Sequence, residues 1–193
     1  MTEGEWGVVK AGCVNGGLFD PAQHKALPSS IQPRREFKLA PGDLLMSRAS
    51  GSPELIGSTG VVPEIKDNLL LCDKIYRIHI DKRRSSAPFL AYALRSHRTR
   101  QHIKMGISGA EGMANNLPTS VVRDCLIPKA PIDVQNAQYK NFDRTRDRTS
   151  QARRHIDISI ALLTERRQAL ITAAVTGQFD VSTASGRNTI QGV

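Results

Sequence analysis

The chain has 193 residues, 39% of them hydrophobic, which is room for one ordinary domain plus an extension. No stretch approaches the ~20 apolar residues of a membrane span. The start, Met-Thr-Glu-Gly-Glu-Trp, has neither the basic nor the apolar part of a secretory leader, so a cytoplasmic protein with no membrane partner is expected. Cys13, Cys72 and Cys125 are odd in number and far apart, which argues against a disulfide or zinc framework and for buried thiols. With 27 Lys and Arg against 18 Asp and Glu, the formal charge is +9, and a polyanion is the natural partner.

In chain order, Trp6 to Val9 has a strand-like composition and Asn15-Gly16-Gly17 marks a turn. Residues 20–35, polar and with three prolines, are expected to form an excursion rather than an element. Glu36 to Leu39 resumes an extended pattern, Pro41-Gly42-Asp43 turns, and Leu44 to Ser47 forms an apolar strand. A small polar loop, Arg48 to Glu54, follows. Thr59 to Val62, Leu69 to Cys72 and Ile75 to Ile80 supply short strands, the last two joined so tightly that one bent strand with a bulge is expected. Pro88 to Met105 reads as one helix capped by Ser85 or Ser86 and closed by Gly106, with Arg95, Arg98, Arg100 and Lys104 outward. After a glycine-rich loop from Gly106 to Asn116, Val121 to Ile127 reads as a final strand.

From about Asp133 to Thr176 the sequence specifies one long amphipathic helix. No proline or glycine interrupts it, Asp133 caps its start, and Gly177 stands where a left-handed C-terminal cap belongs. Phe142, Thr149, Ile156, Leu163 and Leu170 recur every seven residues, with Ile160 among those filling the intervening turns. Such a seam needs a partner helix. At 1.5 Å per residue the element spans roughly 65 Å, too long to lie within its own domain. The fold class expected is therefore a mixed α/β body of short strands and a helix, residues 1–131, then a coiled-coil-forming helix, 132–178. The small polar tail 179–193 is expected to be disordered.

Were that polyanion duplex DNA, reading it would take cations for phosphates and side chains that reach base edges. Arginine suits guanine, and asparagine or glutamine suits adenine. The candidates lie in polar loops: Lys25, Arg34 and Arg35; Arg48 with Ser50 and Ser52; Lys82, Arg83 and Arg84; and Ser108, Glu111, Asn115 and Asn116. Arg48 stands out because a buried strand directly before it would hold it in place. Arg95, Arg98 and Arg100 read first as an exposed helix face. Phe142, Ile156, Ile160, Leu163 and Leu170 are the candidates for helix pairing. Single-strand or RNA binding is disfavoured by 5% aromatic content, because stacking platforms need aromatic rings. There is no Asn-Pro-Pro-aromatic motif of an adenine methyltransferase, no phosphate-binding loop with its Lys-Ser/Thr, and no His/Cys cluster, so neither catalysis nor a cofactor is expected.

Several stretches, taken together, resemble the specificity subunit of type I restriction-modification systems. They are Trp6-Gly7-Val8-Val9, Pro41 to Arg48, Glu54-Leu55-Ile56-Gly57, Asp73 to Arg77, Phe89 to Leu94 with Arg100 to Ile103, Asn116-Leu117, and above all Ala161 to Gly177. The resemblance implies a target recognition domain that reads half of a two-part DNA site and a spacer helix that packs on a second spacer. It also implies docking to methyltransferase subunits, and through them to the restriction subunit, with all catalysis on those partners. The family usually carries two recognition domains and two spacers, whereas one of each stands here. A half-subunit that pairs with a second copy, forming a homodimer, a split gene product, the C-terminal half of a longer protein, and a fragment that joins a full-length specificity subunit without reading DNA alone all fit that departure.

Overall fold

The computed structural model describes residues 5–108 and 115–178; Glu111 and the tail 179–193 lie outside the described residues. The strands are β1 (Trp6–Val9), β2 (His24–Ala26), β3 (Leu44–Ser47), β4 (Ala49–Ser50), β5 (Thr59–Val61), β6 (Asn68–Leu70), β7 (Ile75–Ile78) and β8 (Asn115–Asn116). The helices are α1 (Ala87–Leu94), α2 (His97–Gly106), α3 (Thr119–Arg123) and α4 (Ile132–Val175). Among the described residues these strands form three small sheets, ordered β2-β1-β6, β5-β3-β7 and β4-β8. All pairings are antiparallel except β1 with β6.

Compact units span Met1–Asn141 and Phe142–Val193. In the first, β3 is the element on which both cores depend, since its four residues are all buried. Alternate side chains of a strand face opposite ways. Leu45 therefore enters a cluster with Val9, Val14, Phe19, Leu39 and Leu69, while Leu44 and Met46 enter another with Ile56, Ala91, Leu94, Ile103 and Leu117. α1 covers the second cluster and is tied to β5 by the Thr59 hydroxyl, which donates to Ala91 O at 2.9 Å. Burial pushes the Cys13 thiol up to about 12 and raises those of Cys72 and Cys125 as well. All three are free thiols, Cys13 buried and the other two half-buried.

The structure revises five expectations. Residues 20–35 do contain an element: β2 pairs with β1, Val8 opposite Lys25, through backbone bonds that three residues can make without any side-chain pattern. Residues 35–37 form a 3₁₀ turn closed by Lys38 N–H on Arg35 O, so the extended stretch starts only at Lys38. β6 and β7 are not one bent strand, because the turn at Asp73-Lys74 carries the chain from the first sheet to the second. The expected single helix breaks at Arg95-Ser96, where Ser96 takes extended backbone and its hydroxyl caps α2 at Thr99 N–H. Finally, Val121 and Val122 sit on α3, not on a strand. Packing against the second cluster overrides their β preference, and Pro118 starts the helical turn.

The long helix forms from Ile132 to Val175 without a break, and because it begins at Ile132, Asp133 lies in its first turn rather than capping it. Gln135 locks its beginning. Its Oε1 accepts from Ser86 N–H at 2.9 Å, and its Nε2 donates to Arg84 O at 2.9 Å and Ala130 O at 2.8 Å. Beside it the Tyr139 ring meets Tyr92 at 6.1 Å between centroids. Because Leu45 fills the first core from a strand that anchors both, Leu45→Ala should lower unfolding free energy by about 2–5 kcal/mol. Denaturant titration would show this as an earlier midpoint with an unchanged slope.

Candidate nucleic-acid interface

Arg48 leaves the buried end of β3 held by backbone bonds on both sides. Its N–H donates to Lys74 O at 2.9 Å, and its carbonyl accepts from Leu117 N–H at 2.8 Å. The next two residues form β4, whose partner β8 places Ala49 opposite Asn116 and Ser50 opposite Asn115. Ser108 closes the ribbon from the far side, exchanging backbone bonds with Asn116 at 2.8 and 2.9 Å. Ser52 joins at its other end, its N–H donating to Ser50 Oγ at 3.2 Å. Arg48, Ser50, Ser52, Ser108, Asn115 and Asn116, drawn from two loops more than fifty residues apart, are thus brought together on one backbone-anchored ribbon.

The Arg48 guanidinium lies over the Tyr76 ring, 5.3 Å from its centroid. Tyr76 is itself fixed: its hydroxyl donates to Leu117 O at 2.7 Å and is contacted by Thr119 Oγ1 at 3.3 Å. Arg48 Nε is shut off from solvent without a hydrogen-bond partner. No carboxylate neutralises this arginine among the described residues, in contrast to Arg34, Arg77 and Arg83.

The other candidates stand apart from the ribbon in the fold. Lys25 is exposed on the edge strand β2. Arg34 pairs with Glu36 at 2.8 Å and stacks on Phe37, and Arg35 is in the 3₁₀ turn beside it. Lys82, Arg83 and Arg84 form the exposed turn before α1; Arg83 and Arg84 line a cavity of about 780 Å³ with Phe89, Lys129 and Gln135.

Two arginines read as an outward helix face are instead backbone clamps. Arg95 reaches the carbonyls of Gly17 at 3.2 Å and Gly16 at 3.3 Å. Gly17 has φ 83°, which strains any residue with a side chain, and a Cβ there, 1.8 Å from the guanidinium carbon, would push Arg95 off its acceptors. Arg100 donates to Ile56 O and, at 2.9 Å, to Glu54 O, and burial lowers its pKa. Lys104 pairs with the Glu54 carboxylate at 2.8 Å and holds it below the usual range. Only Arg98 keeps the exposed position expected of the set. Sequence reasoning missed these clamps because their acceptors are backbone carbonyls 44 to 79 residues away, which leave no local pattern.

On α4, Phe142, Ile156, Ile160, Leu163 and Leu170 are 42%, 58%, 56%, 65% and 47% exposed. Ile158, Leu162 and Ile171 are also exposed, so the apolar surface is wider than the seven-residue seam.

Fold and site together define a mixed α/β body that presents a backbone-anchored polar ribbon headed by one unneutralised arginine, followed by a long helix with an uncovered apolar face. Over 130 residues, 67% of its length, the chain is 28% identical to the type I restriction enzyme EcoEI specificity subunit of Escherichia coli, of which it covers 22%. Its fold matches that of the HsdS subunit from Thermoanaerobacter tengcongensis with a TM-score of 0.60 and 16% identity, over 90% of this chain and 42% of that one. No family model matches. The relative in sequence agrees with the resemblance read from the residues, the solved structure shares the fold, and the chain spans less than half the length of either.

If Arg100 serves the fold, Arg100→Met should lower stability by about 1–3 kcal/mol, since carbonyls lose a charged donor. Arg98→Ala should stay within about 0.5 kcal/mol of the parent. Thermal or denaturant unfolding of the two variants checks both.

Proposed function

We propose that this chain is a DNA sequence-recognition subunit, or half of one, of a type I restriction-modification system. The body reads one half of a two-part duplex site, and α4 pairs with a second spacer helix, from another copy or from a full-length specificity subunit. The methyltransferase subunits dock on the assembly and carry the chemistry, with the restriction subunit joining through them. The similarity to the EcoEI specificity subunit carries this reading. The +9 charge and the placement of Arg48, Ser50, Asn115 and Asn116 on one ribbon support it on physical grounds.

Pairing through α4 has its own support. Apolar side chains at 142, 156, 160, 163 and 170 would not stay about half exposed at a cost of roughly 25 cal/mol per Å² when a like surface can cover them. A two-fold pair of identical readers specifies a palindromic, gapped site, because symmetry makes both halves read the same bases. The observation favouring an assembly piece that does not read DNA is the same helix face. The ribbon, which such a piece would not need, favours the reader.

Methylome sequencing of cells with and without the gene tests the function: a palindromic, gapped motif of modified adenines is expected and should vanish on deletion, whereas its retention would exclude an essential reading role. Sedimentation of the purified chain tests the pairing. A mass near twice 21.2 kDa is expected, falling to one chain when Leu163 and Leu170 are both changed to Glu.

A further inference from the structure

We infer that Arg48 reads a guanine in the recognised half-site and that Tyr76 is the positioning residue that aims it; this rests on the DNA-reading function proposed above. A guanidinium discriminates guanine when two N–H donors reach O6 and N7 together, so its plane must be set before contact. Four features of the structure set it. The Arg48 backbone is tied at its N–H to Lys74 and at its carbonyl to Leu117. The guanidinium rests on the Tyr76 ring at 5.3 Å. Tyr76 is tethered through its hydroxyl to Leu117 O at 2.7 Å, the residue that follows β8. Nε, the donor that bidentate guanine contact can spare, is the one buried without a partner.

The remaining two nitrogens, Nη1 and Nη2, form the free planar edge. They make no hydrogen bond or ion pair among the described residues, unlike the clamping guanidiniums of Arg95 and Arg100. The neighbouring amide side chains on β8 suit adenine, so the ribbon as a whole is built to read a mixed sequence with Arg48 at its guanine. A phosphate contact would need charge alone, without the ring platform beneath it.

The test selects binding sites from a randomised duplex pool with the full chain and its own genome's type I methyltransferase subunit. Arg48→Lys should lose about ten- to hundred-fold preference for guanine at a single position while the rest of the motif and overall retention persist. Tyr76→Met should relax the same position, and Tyr76→Phe, which keeps the ring but loses the tether to Leu117, should relax it clearly less. Preference unchanged in Arg48→Lys, or relaxed equally in Tyr76→Phe and Tyr76→Met, would overturn the inference. If the parent chain selects no motif, the proposed function itself fails, a distinct result. Should Tyr76→Met not fold, NMR of the parent chain decides: a slowly exchanging, ring-shifted Arg48 Nε–H is expected, and a rapidly exchanging, unshifted one overturns the positioning role.

Discussion

The burial of β3 on both faces is the constraint from which the rest of the body follows. Leu45 on one side and Leu44 with Met46 on the other are nearly without solvent exposure, so the strand cannot shift register without emptying two cores at once. Its neighbours β5 and β7 are fixed by antiparallel ladders, and α1 is held over them. A side chain placed immediately after such a strand inherits its rigidity. That is the position of Arg48, and the bonds to Lys74 and Leu117 extend the strand's order by one residue. A side chain in a loop thereby gains the precision of a sheet.

The distribution of arginine shows why net charge alone says little about where an anion would bind. Arg95 and Arg100 spend their donors on carbonyls of the turns at Gly16-Gly17 and Glu54-Ile56. Arg77 is divided between Asp43 and the carbonyls of Phe37 and Lys38. These cations hold a body whose sheets are small and whose loops carry much of the chain. Arg48, resting on an aromatic ring with no acid beside it, is in a different position.

What could be read before the fold was seen depended on how local each determinant is. The long helix was legible because a seven-residue apolar repeat free of glycine and proline is written entirely within residues 132–175. β3 was legible from a turn and a run of apolar residues. The two-residue strands β4 and β8 and the edge strand β2 carry no period of their own and exist because a partner supplies their hydrogen bonds. The same reasoning explains the site. Arg48, Ser50, Asn115 and Asn116 could be named from residue type, but that they share a ribbon is a consequence of pairing across more than fifty residues. Tyr76 lies in a stretch, Asp73 to Arg77, that resembles specificity subunits, but nothing in its own neighbourhood announces that its ring carries Arg48.

In the function proposed, two surfaces of the chain meet different partners, the ordered polar ribbon a DNA duplex and the exposed apolar helix face a second helix. The most direct measurement of this division is amide hydrogen exchange along the chain with and without the duplex it selects. Slowed exchange at residues 48–52 and 115–117, with residues 156–171 unchanged, is the result expected. Slowing confined to the helix, or to the edge strand at His24–Ala26, would contradict the assignment of the ribbon as the reading face.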